Sequence, residues 1–354
     1  MSQIYEEYWN LTLAWTNFNG KKFLDTLKLV VWFIDQHKNE AYSSDLYKLL
    51  QQILQRKIGI TEESVRKGIN ELVKLGFVFP YLRSYHPLSK QYLNTASKKE
   101  RELILSKIIY SNSSFQRSVT NDSNIREINF VIKTLERARC LEEKYLGVLI
   151  SINIADYPEG FITLEKLETL YRAESQIAFE KRKYNQIGYL KGLLKKLDGI
   201  LYQSRKFYLE KESSNVQMEF TKEFEAKGRD IYLQRIYKKQ LQNESLNVFG
   251  KIKCMVEKLE YPVLIASHIK PFRDSNQVEA FDPNNGLLLS KTLDSLFDLN
   301  YISFADDGKI IFYKRVPVDV QRFWCNYRID NRFINPERLA YLAYHRKMCE
   351  CKNI

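Results

Sequence analysis

Three short segments near the C-terminus constrain this chain more than any others. Residues 266–271 have the sequence Ala-Ser-His-Ile-Lys-Pro, residues 282–290 carry an Asn-Gly pair followed by three leucines, and Asp294 and Asp298 follow four positions apart. The pattern predicts a compact β-β-α unit. It consists of an apolar run that ends in histidine, a turn into a second apolar run, and two acidic residues at helical spacing. A unit of this kind can hold a metal ion and a base.

The β-β-α pattern resembles the HNH nucleases (His-Me finger, ββα-metal), in the form carried by many bacterial restriction-type endonucleases. The resemblance covers residues 246–354 well and the rest of the chain only loosely. It implies a DNA endonuclease that uses one histidine base, one divalent cation (Mg²⁺ or Mn²⁺) and an asparagine that orders the loop. Phosphodiester hydrolysis needs these parts because the water must be activated and the charge at the phosphate neutralised.

The histidine and the asparagine of the resemblance fall on two residues. A strand at residues 263–266 would deliver His268, which is expected to be the general base because a near-neutral imidazole pKa suits proton abstraction from water. A structural histidine is the alternative. Asn285 matches the middle position of the family pattern and is expected to hold the loop through side-chain to backbone hydrogen bonds, with Asn284 as its rival.

The metal ligands implied by the resemblance are oxygen donors. Asp294 stands at the third position of the pattern, and a carboxylate there suits Mg²⁺. Asp298 lies on the same helical face and is either a second ligand, an outer partner, or a residue that caps the helix or pairs with Lys291. Ser267 departs from the family pattern, in which many members have Asp or His before the base, and it would touch the ion directly or through water.

Residues further towards the C-terminus add a predicted hairpin and three candidate phosphate contacts. Residues 304–312 are expected to form the hairpin, with Asp307-Gly308 in its turn. Residues 338–346 resemble the closing helix of the family, in which Arg338, His345 or Arg346 could approach a phosphate. Ordinary surface solvation is the alternative for each of them.

The charge of the chain points to a polyanionic partner. There are 55 Lys and Arg against 43 Asp and Glu, for a net charge of +12, and residues 1–245 hold 39 of the basic and 30 of the acidic residues. Double-stranded DNA is the expected partner, although a lysine-rich genome would also raise the charge. No membrane partner is expected, because no apolar run is long enough to span a bilayer.

The chain is expected to be cytoplasmic, with its cysteines as free thiols. Residues 1–10 contain Glu6 and Glu7 and lack the apolar core of a targeting peptide. The five cysteines are irregularly spaced, which argues against a disulfide framework. Cys349 and Cys351 lack a partnering pair at zinc-finger spacing, so a structural zinc is not expected.

The first part of the chain has the element order of a winged helix. Apolar periodicity predicts helices at residues 23–37, from residue 44 and from Thr61, followed by a strand at residues 77–81. The third helix would enter the major groove of DNA. Its predicted DNA contacts share its outward face: Arg66, Lys67, Asn70 and Lys74. A solvated face or a protein interaction module are the alternatives.

A second winged-helix-like unit is predicted to follow. Residues 146–152 have the pattern of a strand, residues 163–171 and 176–197 are expected to be helical, and residues 200–209 form another strand. Lys181 and Arg182 on the long helix would follow the DNA backbone, or simply be solvated. Lys270, two residues after the candidate base, is the DNA contact predicted within the nuclease domain.

These observations predict an α+β protein: a mostly α, winged-helix-like recognition region followed by a ββα-metal nuclease domain. The expected divisions are residues 1–120, 121–226, a connecting helix at 227–245, and the nuclease at 246–354. The predicted function is a type II, shifted-cleavage (type IIS) restriction endonuclease with a cognate DNA methyltransferase as genetic partner. A modification-dependent or homing-type nuclease and a non-catalytic DNA-binding regulator are the alternatives. Cleavage of both strands would require a transient homodimer on DNA or sequential cutting.

Overall fold

The computed structural model describes residues 9–210, 230–313 and 316–352, without the side chains of residues 174–178, 180–182 and 352. The chain divides into two compact units, Met1–Lys211 and Glu212–Ile354. Both contain helices and small antiparallel sheets. Among the described helices, none is both long enough and apolar enough to cross a membrane.

The first unit begins with a helical region. Its helices are α1 (Lys21–Gln36), α2 (Ser44–Ile58), α3 (Glu62–Lys74), α4 (Leu88–Asn94) and α5 (Lys98–Asn112). The hydroxyl of Thr61 accepts a hydrogen bond from the backbone of Ser64, as expected for the residue that caps α3. The first three predicted helices are therefore present with small shifts of their ends.

The predicted strand at residues 77–81 is wrong. Residues Pro80–Leu82 form a 3₁₀ turn in which Tyr81 has a φ of 60°, and the only pairing at this point is an isolated bridge between Val78 and Tyr85. The left-handed backbone at Tyr81 turns the chain back before a ladder can extend. The aromatic run is buried all the same, with Phe77 and Val78 fully inaccessible.

The second half of the first unit adds a three-stranded sheet. Its elements are α6 (Glu127–Ala138), β1 (Cys140–Glu142), α7 (Leu146–Ser151), α8 (Leu164–Tyr171), α9 (Glu174–Leu194), β2 (Ile200–Gln203) and β3 (Lys206–Leu209). The strands are antiparallel in the order β1-β3-β2. The helix at α8 and the long helix at α9 are present close to the predicted bounds.

Two strand predictions in this region need correction. The strand predicted at residues 146–152 is instead the helix α7, which ends at Ser151. Residues 146–150 are a continuous buried apolar run, and such a run fits a helix or a strand equally well by periodicity. Residues 200–209 form a hairpin rather than one strand. Ser204 and Arg205 both have positive φ, 49° and 59°, which is the geometry of a tight two-residue turn.

The second unit is built around a β-hairpin and the helix that follows it. Its elements are α10 (Ile231–Phe249), β4 (Leu264–His268), α11 (Gln277–Ala280), β5 (Gly286–Ser290), α12 (Lys291–Asp298), β6 (Ile302–Phe304), β7 (Ile310–Phe312), α13 (Val318–Trp324) and α14 (Pro336–Lys352). β4 and β5 pair in a register that runs from Leu264↔Ser290 to His268↔Gly286. The predicted β-β-α order is therefore present.

Helices cover the β4-β5 hairpin. Leu287, Leu288 and Leu289 of β5 are completely buried, so both faces of this strand are covered, and α10 and α12 pack against the hairpin. The sequence predicts α10 as a connecting helix at residues 227–245, of which residues 227–229 lie outside the described residues. In the structure α10 is an integral part of the second unit.

The second predicted hairpin is also present. β6 pairs with β7 so that Phe304 lies opposite Ile310, and Gly308 in the turn has a φ of +80°. A Cβ at this position would lie 2.7 Å from the carbonyl oxygen of Ile329. Glycine is therefore required both by the positive φ and by the lack of room for a side chain.

Candidate active site

His268 ends β4 with a fixed ring orientation. Its Nε2 lies 2.8 Å from the carbonyl oxygen of Ala280. A carbonyl oxygen only accepts hydrogen bonds, so the hydrogen of the neutral imidazole is on Nε2 and the lone pair is on Nδ1. Nδ1 is consequently the nitrogen that can accept a proton.

Two aromatic rings hold the plane of this imidazole. The ring of Tyr237, from α10, is stacked on it with centroids 4.6 Å apart and planes 13° apart. The ring of Phe272 meets it edge to face at 5.9 Å and 84°. Rotation of the imidazole out of this plane would lead to a clash with one ring or the other.

Asn285 organises the loop between β4 and β5. It is completely buried, and its Oδ1 accepts a hydrogen bond from the backbone of Lys270 at 2.7 Å. Its Nδ2 is 3.1 Å from the carbonyl oxygen of Lys270 and 3.0 Å from that of Glu279. Because Glu279 immediately precedes Ala280, the amide of Asn285 holds the backbone next to the carbonyl that accepts the hydrogen bond from His268.

The rival asparagine points elsewhere. The Oδ1 of Asn284 accepts a hydrogen bond from the side chain of Asn335 at 2.9 Å, and its backbone nitrogen donates to the carboxylate of Asp282. In the described structure, Asn285 and not Asn284 holds the loop that follows the candidate base.

Asp294, Ser267 and Asp298 form a group of oxygen donors beside this loop. Burial and the charge of Asp298 together raise the pKa of Asp294 to about 6, although the hydroxyl of Ser267 acts to lower it. Ser267 is 2% exposed. Among the described residues, neither Ser267 Oγ nor Asp294 Oδ1 has a hydrogen-bond partner of normal geometry, although both atoms are buried.

This donor set fits a hard divalent cation. Buried polar atoms without partners are costly, and a cation would satisfy the oxygens of Asp294 and Ser267 together. The described residues contain no metal-binding group of three or more His, Cys, Asp or Glu side chains, so the protein would supply only the two carboxylates and the hydroxyl of this set. Two carboxylates and a hydroxyl suit Mg²⁺, which is held by one or two carboxylates and keeps several of its waters.

Lys270 is engaged within the loop. Its Nζ lies 2.8 and 2.7 Å from the two carboxylate oxygens of Glu279, and 5.2 Å from the ring centroid of Tyr344. This ion pair and the backbone of Asn276 lower the pKa of Glu279. The amine that is predicted to contact DNA therefore stabilises the loop around Asn285 in the described structure.

The three candidate phosphate contacts of the closing helix are all engaged inside the second unit. Arg338 is 0% exposed and forms a bidentate ion pair with Glu244 at 2.9 and 2.8 Å. His345 is buried, stacked on Phe297 and hydrogen-bonded to Ser303. Arg346 donates to the carbonyl of Phe304 and to Asp306. The expectation that Arg338 or His345 reaches a phosphate is wrong, because both side chains are buried.

Of the residues on α3 that are predicted to contact DNA, two are exposed and two are held by contacts within the first unit. Arg66 and Lys67 are exposed, with Lys67 paired to Glu63 at 2.7 Å. The amide of Asn70 is half-buried, donating to the carbonyl of Arg66 and accepting from the backbone of Val119.

Lys74 is wrongly predicted to face outward. It is 5% exposed, and its Nζ donates to the carbonyl oxygen of Asn10 and the hydroxyl of Thr12. Residues 9–15 lie across this side of α3, where they also meet Glu71 through the backbone nitrogens of Ala14 and Trp15. Burial lowers the pKa of Lys74 to about 8.

Lys181 and Arg182 belong to α9, and their side chains lie outside the described residues. Their predicted contact with the DNA backbone stays a prediction.

Sequence reasoning missed Tyr237 as a residue of the site. Its position on the apolar face of the predicted helix, beside Leu233 and Leu241, marks it only as a core residue. One signal was available, because a tyrosine on an apolar face needs a partner for its hydroxyl. That partner is the carbonyl oxygen of Asn285, at 2.9 Å.

Residues 254–305 match the family model described as HNH endonuclease. The match runs from before β4 to the end of β6 and includes His268, Asn285 and Asp294, whereas α10 and the first unit lie outside it. The chain therefore contains a C-terminal HNH endonuclease domain, which indicates nuclease activity on DNA. A comparison of the chain with curated proteins found no match.

Proposed function

We propose that this protein is a restriction-type endonuclease that hydrolyses phosphodiester bonds of double-stranded DNA at or near a specific sequence. Two hydrogen bonds inside the segment that matches HNH endonucleases carry the proposal: His268 binds the Ala280 carbonyl, and Asn285 binds the adjacent Glu279 carbonyl. Asp294 supplies a partly buried carboxylate in the same unit.

His268 acts as the general base in this mechanism. A water oxygen attacks the phosphorus, its proton passes to Nδ1 of His268, and the bond to the 3′ oxygen breaks. The hydrogen bond from Nε2 to Ala280 stabilises the imidazolium that forms, since a carbonyl oxygen interacts more strongly with a charged donor. Asn285 supports the step indirectly by holding the loop that carries Ala280.

Asp294, Ser267 and Asp298 would hold the divalent cation, Mg²⁺ or Mn²⁺. When bound, the cation neutralises charge at the scissile phosphate and at the departing oxygen. The carboxylate of Asp294 needs this partner because burial disfavours its charged form.

The first unit would choose the cleavage site. Most of the excess positive charge lies before residue 246, and Arg66 and Lys67 project from α3. The helices and the β2-β3 hairpin of its second half support a winged-helix-like recognition region. Recognition and cleavage by separate parts of the chain favour a shifted-cleavage, type IIS enzyme with a cognate methyltransferase.

Plasmid cleavage tests the proposal. The purified full-length chain is incubated with supercoiled plasmid and Mg²⁺ or Mn²⁺, and the ends are mapped by run-off sequencing. We expect cuts at a fixed offset from one recurring sequence, and loss of cutting in His268→Ala. His37→Ala is the matched control, because His37 pairs with Glu40 at the surface of the first unit and takes no part in the site.

The contrary outcomes are distinct. Binding without cutting, or a His268→Ala variant as active as the native chain, would sink the nuclease assignment. Cuts without a recurring sequence would remove the restriction-type assignment and leave a nuclease. Cuts found only in modified plasmid would identify a modification-dependent enzyme instead.

A further inference from the structure

Tyr237 contacts several residues of the active-site hairpin at once. It is completely buried, its ring is stacked on His268, and its hydroxyl donates to the carbonyl oxygen of Asn285 at 2.9 Å. The carbonyl oxygen of Ser267 lies 3.4 Å from the same hydroxyl. One side chain from α10 thus reaches the candidate base, the loop asparagine and the serine beside the base.

The hairpin is shaped to receive this side chain. Gly286 lies directly opposite His268 in the β4-β5 register. A Cβ on Gly286 would lie 2.2 Å from the Tyr237 hydroxyl and 2.8 Å from a methyl of Leu241, so any larger residue would displace the ring. The absence of a side chain at position 286 is what lets the Tyr237 hydroxyl reach the backbone of the hairpin.

The hydroxyl has a defined protonation state. Burial raises the pKa of Tyr237 well above its ordinary value. The phenol therefore keeps its hydrogen throughout the range in which an enzyme works, and it donates to the Asn285 carbonyl under all those conditions. Hydrophobic packing alone would be met equally well by phenylalanine, so the hydroxyl and the ring have separable roles.

We propose that Tyr237 is a positioning residue for the nuclease reaction, and that it fixes the imidazole of His268 through its ring and the Asn285 turn through its hydroxyl. The inference rests on the proposed function, in which His268 is the base. It also places α10, which lies outside residues 254–305, within the functional nuclease module.

The ring and the hydroxyl can be separated by two substitutions. Tyr237→Phe keeps the stack and removes the hydrogen bond, whereas Tyr237→Leu removes both. Misplacement of a catalytic group by about 1 Å can cost ~100-fold in rate, so we expect Tyr237→Leu to lower kcat for plasmid nicking by ~100-fold. Tyr237→Phe should lose ~10-fold or less, and KM should stay within about 2-fold in both variants.

Leu233→Ala is the matched control, since Leu233 is a buried residue of the same helix. It should lower the melting temperature as a core deletion does, yet leave kcat close to the native value at temperatures where the chain is folded. An equal fall of kcat in Leu233→Ala and Tyr237→Leu would mean that α10 contributes stability alone, and would overturn the proposal.

An NMR measurement tests the geometry without relying on cleavage. In ¹³C,¹⁵N-histidine-labelled protein, the His268 ring signals are assigned by their loss in His268→Ala. The stacked phenol shields the imidazole protons, so Tyr237→Leu should move these signals downfield while Tyr237→Phe leaves them near their native position. Unchanged signals in Tyr237→Leu would overturn the inference. An inactive native chain that still shows the shift would refute the proposed function and support the positioning geometry.

Discussion

Asn285 bonds both backbone groups of Lys270: its Oδ1 accepts from the nitrogen and its Nδ2 donates to the carbonyl oxygen. This pairing closes the loop that presents the Ala280 carbonyl to His268. An aspartate at position 285 could accept from Lys270 but could not donate to the two carbonyl oxygens. A carboxylate oxygen would instead face the carbonyl oxygens of Lys270 and Glu279, and all of these atoms carry negative charge. We expect Asn285→Asp to lower kcat by ~100-fold through misplacement of the base.

Asn284→Ala is the control for this prediction. It removes the hydrogen bond to Asn335 and should lower the melting temperature while kcat changes little. Both variants are compared in the plasmid-nicking assay at a temperature where each is folded. A full-rate Asn285→Asp variant would contradict the role of the loop.

Metal binding should depend on pH through Asp294. Its pKa is raised to about 6 by burial and by the nearby charge of Asp298, so below that pH a proton competes with the cation. We expect the apparent affinity for Mn²⁺, measured by calorimetry, to fall ~10-fold for each pH unit below about 6. Above pH 7 it should be nearly constant.

Two substitutions separate the carboxylates. Asp294→Asn should abolish measurable Mn²⁺ binding. Asp298→Asn should weaken Mn²⁺ binding at every pH because it removes one carboxylate, and the fall in affinity should move to lower pH because the charge that raises the pKa of Asp294 is gone. Asp307→Asn is the control, because Asp307 is exposed and pairs with Lys309 in the turn between β6 and β7. Native-like binding by Asp294→Asn would exclude this residue as a ligand.

The buried ion pair between Arg338 and Glu244 should contribute stability rather than DNA affinity. Arg338 also donates to the carbonyl oxygens of Phe333 and Pro283, next to the Asn285 turn. Removing one member of a buried ion pair typically costs ~3–5 kcal/mol. We expect Arg338→Met to lower the free energy of unfolding by an amount near the lower end of that range, because Glu244 remains partly exposed.

Denaturant unfolding measures the stability, and KM for plasmid DNA measures the affinity. KM of Arg338→Met should equal that of the native chain wherever both are folded. Lys347→Met, on the same helix α14, is the control for the loss of one positive charge. A large rise in KM confined to Arg338→Met would show that the side chain does reach DNA.

The local part of this structure could be predicted from the sequence and the long-range part could not. The β-β-α unit depends on neighbours in sequence, such as the turn that precedes Gly286 and the helical spacing of Asp294 and Asp298. Lys74 and Arg338 are buried by partners 62 and 94 residues away along the chain. Helical periodicity places a charged residue outward by default, and only the tertiary contact reverses that assignment.

Tyr237 shows the same limit at the candidate site. The sequence predicts the helix and its apolar face, whereas the stack on His268 requires the packing of α10 against a strand that lies about thirty residues further along the chain. Likewise the apolar run at residues 146–152 has no periodicity that distinguishes a buried helix from a buried strand. Full burial removes the alternation from which secondary structure is inferred.

A buried carboxyl in the first unit should make its stability depend on pH. Burial raises the pKa of Glu71 to about 8, although the backbone nitrogens of Trp15 and Ala14 donate to it and act in the opposite direction. The folded state therefore binds a proton that the unfolded state has released between about pH 4.5 and 8. The stability that this group contributes is full below pH 4.5 and is lost as the pH rises through 8.

Glu71→Gln isolates this effect because the amide stays neutral and its oxygen can still accept from Ala14 and Trp15. The melting temperature of Glu71→Gln relative to the native chain should rise from about pH 5 to about pH 8 and level off above it. The difference between the two proteins is the relevant quantity, since Lys74, with its pKa lowered to about 8 by burial, makes the stability of both proteins rise with pH above about 8. Glu63→Gln, on the exposed face of the same helix, should show no such rise, because Lys67 lowers the pKa of Glu63. Parallel curves for Glu71→Gln and the native chain would mean that Glu71 is ionised in the folded protein, held by its two backbone donors.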